Sequence, residues 1–248
     1  MRLLWQVEDS DVLKVKEFYN QNKDNGLVVW RRERNVERGF SRFSRDAFWR
    51  EMVVCLLTTQ ARAGPNSAVS RFASQKPFPL RYKECREQRN LKSFAQRTLA
   101  RFGGIRRNVT ISEQIRDNFR WLEQQGGWEE VNKVVRDTSK NPTLEMETEA
   151  ADFIDRRLKG FGPKQSRNLL QNLGLTKYEI PIDSRITRWL NEFGFPVSLS
   201  APALADLDYY KFVSKGIREL CDACDIYPCM LDAAIFSSFD TPDQRDNH

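Results

Sequence analysis

Apolar residues recur at helical spacing along almost the whole of this 248-residue chain. The most apolar of these segments, Asp46 to Thr59, is expected to form a central helix. Nine more helical segments follow it, at residues 67–72, 91–101, 111–124, 128–137, 147–159, 163–173, 184–193, 209–223 and 231–239. The two-residue alternation of half-buried strands is nearly absent, and only residues 27–40 could form a short extended segment. The pattern therefore predicts an all-α protein.

A glycine-bounded turn, Gly160-Phe161-Gly162, lies between two of these helical segments. Pro163 follows at the first helical position, where its missing N–H costs nothing. Lys164 then falls in the first helical turn, and Asp183 stands nineteen positions further on. Backbone N–H groups at a glycine turn and a helix start can hold a phosphate. A phosphate anchor beside a lysine and a carboxylate indicates chemistry on nucleic acid.

The distribution of charge fits a polyanionic partner. The net charge is +6, but residues 1–125 carry +11 and residues 126–248 carry −5. Within the acidic half, the window 155–188 around the glycine turn has eight basic residues and only three acidic ones. Such a basic segment is typical of nucleic-acid binding, with a merely solvated basic surface as the alternative.

Residue usage excludes several kinds of catalytic site. The only histidine is His248, in a polar tail, so histidine triads, histidine-ligated zinc and histidine general bases are excluded. Three cysteines cluster at Cys221, Cys224 and Cys229, one short of the usual four ligands of an iron–sulfur cluster. We expect them to be buried thiols, and we expect no metal and no cofactor.

No apolar run approaches the roughly 20 residues of a membrane-spanning helix. The N-terminal residues also lack the apolar core of a signal peptide. The sequence predicts a soluble intracellular protein of the cytoplasm, associated with the nucleoid if the source is prokaryotic, with no membrane partner.

Two segments resemble a known family. From Leu158 the chain reads Leu-Lys-Gly-Phe-Gly-Pro-Lys-Gln-Ser-Arg-Asn-Leu-Leu-Gln-Asn-Leu-Gly, and from Ile180 it reads Ile-Pro-Ile-Asp-Ser-Arg-Ile. This pattern resembles the helix-hairpin-helix signature of the endonuclease III-like DNA glycosylase superfamily. The segment from Phe48 to Gln60 is similar to the family's early helix, whose end delivers a side chain towards DNA.

Within the superfamily, the sequence is most similar to type 2 8-oxoguanine DNA glycosylases. Three stretches carry this similarity: Arg101 to Asn108, Arg167 to Gly174, and Met230-Leu-Asp232. The whole resemblance covers roughly residues 45 to 240. It implies two helical subdomains with a DNA-binding cleft between them, residues 44–178 with the hairpin and residues 1–43 plus 179–248.

The resemblance also implies an activity and a partner. The protein is expected to be a bifunctional DNA glycosylase and abasic-site lyase that removes an oxidised base, with 8-oxoguanine favoured, through a lysine Schiff base. Its partner is expected to be double-stranded DNA containing a damaged base or an abasic site, bound by a monomer.

Specific residues are assigned by the same resemblance. Lys164 is the expected nucleophile, and Asp183, which should cap the helix that follows it, is expected to stabilise positive charge on the sugar. Gln60 is expected to fill the vacated base stack. Two roles stay open for Asp232: a structural role at a helix end, or a contact to the base. Contacts to the DNA backbone are expected from Gly160, Phe161, Gly162, Lys159, Arg167 and Arg188, with the Phe161 side chain more suited to packing than to stacking.

Two departures from the family pattern bear on the assignment. The four-cysteine iron–sulfur loop of the superfamily is missing, which fits the type 2 members, and Ser184-Arg185 stands where many of these carry Arg-His. Two alternatives stay open: a non-catalytic helix-hairpin-helix DNA-binding protein, and a glycosylase for oxidised pyrimidines or alkylated purines. The pairing of Lys164 with Asp183 argues against the first, and alkylation-specific members generally lack the lysine.

Overall fold

A computed structural model describes residues 4–37, 43–59, 64, 66–140, 142–197 and 199–239. Across these residues the structure is all-α, as predicted, and no strand occurs. It contains α1 (Asp9–Asn22), α2 (Gly26–Arg31), α3 (Arg45–Leu57), α4 (Ala68–Ala73), α5 (Tyr82–Arg86), α6 (Leu91–Phe102), α7 (Asn108–Gln124), α8 (Gly127–Lys140), α9 (Leu144–Arg157), α10 (Pro163–Asn172), α11 (Ser184–Phe193), α12 (Leu207–Cys224) and α13 (Pro228–Ser238). A π-helix, Arg32–Glu37, continues α2, and a short 3-10 helix covers Ala203–Ala205.

The helices that carry the predicted site begin where the sequence indicates. Pro163 occupies the first turn of α10, and the Asp183 side chain caps α11. Proline has a φ already suited to a helix start, and an aspartate oxygen satisfies N–H groups that lack intrahelical partners. These local signals fix both boundaries.

The prediction of a short extended segment at residues 27–40 is wrong for its described part, since residues 27–37 are helical; residues 38–40 lie outside the described residues. Asn25 caps α2 by accepting from the Leu27 N–H at 3.0 Å. Val28 is then fully buried against Met230 and other apolar residues of α13. Packing against a helix distant in sequence therefore decides the conformation of this segment.

The interior consists of separate apolar clusters. The largest runs from Phe48 to Leu175 and joins α3 to α10. A second unites Val15 of α1 with residues 180–235, and a small third cluster packs Val28 against α13. The N-terminal helices thus pack with the C-terminal ones. The division into one subdomain of residues 44–178 and a second of residues 1–43 plus 179–248 stays a prediction.

Among the described residues, no helix combines the length and the apolar character needed to cross a membrane.

Candidate active site

The hairpin between α9 and α10 is held in shape by α7. Asn118 brackets Lys159 with two hydrogen bonds, accepting from its backbone N–H at 2.7 Å and donating to its carbonyl oxygen at 3.0 Å. Gly160 has a φ of +84°, and a Cβ there would lie 2.6 Å from the amide nitrogen and oxygen of Gln114. Glycine is favoured here because an L side chain is strained at this φ, and a Cβ would also displace the Gln114 amide.

The hairpin presents backbone rather than side chains. Phe161 is buried in the large apolar cluster, so its ring packs, as expected. No side chain caps α10 at Gly162 within the described residues. The N–H groups of the first turn of α10 lie at the positive end of the helix dipole, a position that suits an anion such as phosphate. The Lys159 side chain beside them is exposed.

The start of α10 is fastened to the end of α3. The buried Gln165 donates from Nε2 to the Cys55 carbonyl oxygen at 2.8 Å and to the hydroxyls of Thr58 and Thr59 at 3.2 and 3.0 Å. Lys164, half-buried, directly precedes Gln165. Gln60 lies outside the described residues, but it directly follows Thr59, the last residue of this contact. Its role stays a prediction.

The charge of Lys164 affects the pKa of the Cys55 thiol. This thiol does not compete with Lys164 as a nucleophile. Burial raises the pKa of the Cys55 thiol to about 12, although the nearby Lys164 charge opposes this rise. A thiol must ionise to attack an electrophile. At neutral pH the Cys55 thiol therefore keeps its proton and is not a candidate nucleophile.

Asp183 is fixed by the helix that it caps. Its Oδ1 accepts from the backbone N–H of Arg185 at 2.9 Å and of Ile186 at 3.1 Å. The side chain is half-buried, and no hydrogen bond to Oδ2 occurs among the described residues. One carboxylate oxygen is thus held in place, and the other keeps its capacity to interact with positive charge.

Asp232 is a buried carboxyl on α13 whose pKa depends on the charges around it. It is buried and accepts from Gln171 Nε2 at 2.6 Å, with Arg31 Nη2 at 3.9 Å. Burial raises the pKa of Asp232 to about 6; Arg31 and Lys164 oppose the rise, and the charge of Asp183 adds to it. The charges of Lys164 and Asp183 thus both contribute to the balance that sets the pKa of Asp232. Its bond to Gln171 fits a structural role, and a contact to a base stays a prediction.

The predicted contact between Arg167 and DNA is wrong. The Arg167 side chain has 0% exposure and forms an ion pair with Glu179. Its guanidinium also lies over the ring of Tyr210, 4.7 Å from the centroid. A guanidinium enclosed in this way cannot reach a phosphate at the surface. Arg188, by contrast, is half-exposed and pairs with Glu192 at 2.9 Å, so its DNA contact stays a prediction.

Sequence reasoning missed the buried polar residues that shape the site, Asn118, Gln165, Gln171 and Tyr210. Each lies within a helix, where its residue type carries no motif. Their partners come from distant segments, so no local signal could have identified them.

The cysteines are buried thiols, as predicted. All five are free and buried. Cys221 belongs to the second apolar cluster and Cys229 to the third, so the two thiols face different surroundings. No group of three or more potential metal ligands occurs among the described residues.

The fold matches that of solved 8-oxoguanine DNA glycosylases, so the fold that the sequence resemblance implies is confirmed. An 8-oxoguanine DNA glycosylase of Methanocaldococcus jannaschii matches with a TM-score of 0.61 and 19% identity, over 92% of each chain. The 8-oxoguanine DNA glycosylase of Thermotoga maritima gives 0.63 at 17% identity, over 92% of this chain and 96% of the other.

A further structure, the Methanocaldococcus jannaschii 8-oxoguanine glycosylase/lyase in complex with 15mer DNA containing 8-oxoguanine, gives a TM-score of 0.65 at 19% identity. It covers 91% of this chain and 96% of the other. No protein-family model matches the sequence, and no curated protein matches it. At these identities the likeness shows the fold alone, so the activity rests on the site.

Proposed function

We propose that this protein is a bifunctional DNA glycosylase and abasic-site lyase that removes an oxidised base, with 8-oxoguanine as the favoured substrate. The observation that carries the proposal is that the charges of Lys164 and Asp183 both act on the buried Asp232 carboxyl, with Lys164 in the first turn of the helix that follows the glycine hairpin. The solved structures of the same fold are named as 8-oxoguanine DNA glycosylases, and one of them contains DNA with that base.

In the proposed reaction the hairpin holds a phosphate while the damaged nucleotide turns out of the helix. As the base departs with the electrons of the glycosidic bond, positive charge develops on the sugar, and the Asp183 carboxylate stabilises it. The Nζ of Lys164 forms a bond to the anomeric carbon. Opening of the sugar ring, with proton transfer to the ring oxygen, then gives a Schiff base.

The lyase step follows from the Schiff base. Loss of a proton from the adjacent sugar carbon allows its electrons to form a double bond, and the bond to the 3′ phosphate breaks with the phosphate as leaving group. Binding to DNA without catalysis requires neither the lysine nor the carboxylate. Their pairing is therefore what favours an enzyme over a DNA-binding module.

The decisive test is borohydride trapping on duplexes that contain 8-oxoguanine, thymine glycol or a bare abasic site. We expect a covalent complex with the 8-oxoguanine and abasic duplexes, and its loss in Lys164→Gln because no primary amine remains. Lys92→Gln is the matched control, since Lys92 pairs with Glu113 on α6 and α7 and should keep wild-type trapping.

Three outcomes would change the assignment. Trapping that persists in Lys164→Gln would remove Lys164 as nucleophile. Trapping and excision confined to the thymine glycol duplex would indicate a glycosylase for oxidised pyrimidines. Tight DNA binding without trapping or cleavage on any substrate would indicate a non-catalytic helix-hairpin-helix protein.

A further inference from the structure

A buried polar bridge connects the backbone next to Lys164 with the backbone next to Asp183. On the lysine side, Arg167 lies one turn further along α10, and its Nη1 donates to the Pro163 carbonyl oxygen at 3.1 Å. Pro163 directly precedes Lys164. The orientation of the Arg167 guanidinium is therefore coupled to the backbone that carries the lysine.

On the aspartate side, the hydroxyl of Tyr210 in α12 spans the stretch of chain that leads to Asp183. It accepts from the Ile182 N–H at 2.7 Å and donates to the Ile180 carbonyl oxygen at 2.7 Å. Ile182 directly precedes Asp183. Burial raises the pKa of Tyr210 well above its ordinary value, so the hydroxyl keeps its proton and both hydrogen bonds.

The two sides meet in the interior. The Arg167 guanidinium carbon lies 4.7 Å from the centroid of the Tyr210 ring, a cation–π contact between fully buried groups. Glu179 completes the contact, because it pairs with Arg167 and also accepts from Arg218 Nη1 at 3.1 Å. Thr148 of α9 donates to the same carboxylate at 2.9 Å. The guanidinium is therefore held through Nε by Glu179 and through Nη1 by the Pro163 carbonyl oxygen.

Net stability is a weak explanation for this arrangement. Taking charges out of water is costly, and replacing buried ion pairs by apolar residues is often neutral or stabilising. What the bridge supplies instead is geometry. It links α10, α12 and the segment before α11, the three elements whose relative positions determine where Lys164 and Asp183 stand.

We propose that Arg167 and Tyr210 are positioning residues, which set the separation between the amine of Lys164 and the carboxylate of Asp183. The inference rests on the proposed function, because that function gives the separation its importance. Displacement of a reacting group by about 1 Å can slow a reaction about 100-fold without changing the affinity for substrate.

Tyr210→Phe is the most direct test, because it removes only the hydroxyl and leaves the ring under Arg167. Replacing Arg167 would leave Glu179 without its closest partner in the interior and could prevent folding. The matched control is Tyr82→Phe in the other large cluster. Tyr82 is also buried, and its hydroxyl contacts Glu123 and accepts from Trp128 Nε1 at 2.9 Å.

Three quantities are measured for both variants: the single-turnover rate of 8-oxoguanine excision at saturating enzyme, the affinity for a duplex with a tetrahydrofuran abasic analogue, and the melting temperature. We expect Tyr210→Phe to slow excision at least about 10-fold, while affinity stays within about 2-fold. Tyr82→Phe should lower the melting temperature and keep the wild-type rate. Exchange of the Ile182 amide hydrogen should accelerate in Tyr210→Phe alone.

The outcomes separate the bridge from the proposed function. A wild-type excision rate in Tyr210→Phe, or an equal loss of rate in Tyr82→Phe, would overturn the positioning role while the wild-type protein remains a glycosylase. If the wild-type protein excises and traps nothing, the proposed function fails. The bridge itself is then judged by Ile182 exchange, and unchanged exchange in Tyr210→Phe would refute it.

Discussion

The carboxylate of Asp183 caps α11 and, in the proposed reaction, faces the sugar. Asp183→Asn separates the two roles, because asparagine caps a helix as well as aspartate does but carries no charge. We expect single-turnover excision to fall on the order of 100-fold, the size of one lost electrostatic contact in a transition state. The free energy of unfolding should change by less than about 0.5 kcal/mol.

Asp183→Ala is the companion variant, since it loses the cap as well. It should cost about 1 kcal/mol of folding free energy in addition to the activity. Both effects are measured by urea unfolding and single-turnover kinetics. Wild-type excision by Asp183→Asn would show that the residue is a helix cap and nothing more.

Asp232 gives the molecule a dependence of stability on pH. Because burial raises the pKa of Asp232 from 3.8 to about 6, the folded state favours the protonated carboxyl. Its contribution to stability is therefore fully present below about pH 3.8 and is lost as the pH rises through about 6, with a limit of about 3 kcal/mol. Asp232→Asn cannot titrate. The difference in free energy of unfolding, Asp232→Asn minus wild type, should therefore increase from pH 4 to 7 and stay constant above pH 7. Urea unfolding at each pH measures it. If the free energies of unfolding of the two proteins changed with pH in parallel, the raised pKa of Asp232 would be contradicted.

The sequence could predict the start of α10 at Pro163 and the Asp183 cap of α11 because these signals are local: a proline at a helix start and an aspartate before a helix. The same reasoning placed Arg167 at the surface, in contact with DNA, because arginine is usually a surface residue. Its burial depends on Glu179 and Tyr210, which reach it from a loop and from another helix. Side-chain environments that are built from distant segments leave no mark on the local pattern.

At the scale of the hairpin, the two glycines are expected to respond differently to alanine. Gly160→Ala places a Cβ against Gln114 at a φ of +84°, so both stability and DNA affinity should fall. Gly162 has an ordinary φ of −138°, and no atom lies within 4 Å of the position that an alanine methyl would take. Gly162→Ala should therefore keep its melting temperature and lose affinity only, because the methyl obstructs the approach of a phosphate.

Thermal unfolding and binding to an abasic-analogue duplex measure the two effects. Equal loss of stability in both variants would contradict the strain at Gly160. Full affinity in Gly162→Ala would show that the phosphate does not approach this part of the hairpin.

The helix α2 and its π-helical continuation show why some elements escape sequence reasoning. Valine and tryptophan in residues 27–30 favour an extended chain on composition alone. The observed helix instead buries Val28 against α13 and lets Asn35 donate to the carbonyl oxygens of Gln171 and Thr176 at 3.1 and 2.7 Å. Both contacts come from chain more than 130 positions away.

At the scale of the whole molecule, basic residues that neutralise DNA phosphates should make the binding constant fall as the salt concentration rises. Lys159 is exposed beside the N–H groups of the hairpin, and its backbone is held by Asn118. Each phosphate neutralised by a cation releases counterions, so the logarithm of the binding constant falls linearly with the logarithm of salt concentration, with a slope of about −0.9 per phosphate contact. Lys159→Gln should reduce the magnitude of this slope by about 1.

Lys215→Gln is the matched control, since Lys215 is an exposed lysine on α12, whose buried face belongs to the second apolar cluster. It should leave the slope unchanged, although the net charge falls by the same amount. Fluorescence anisotropy on an undamaged duplex at several salt concentrations measures both slopes. Equal reductions in the two variants would mean that DNA responds to the overall positive charge, whereas a change confined to Lys159→Gln assigns the contact to the hairpin face.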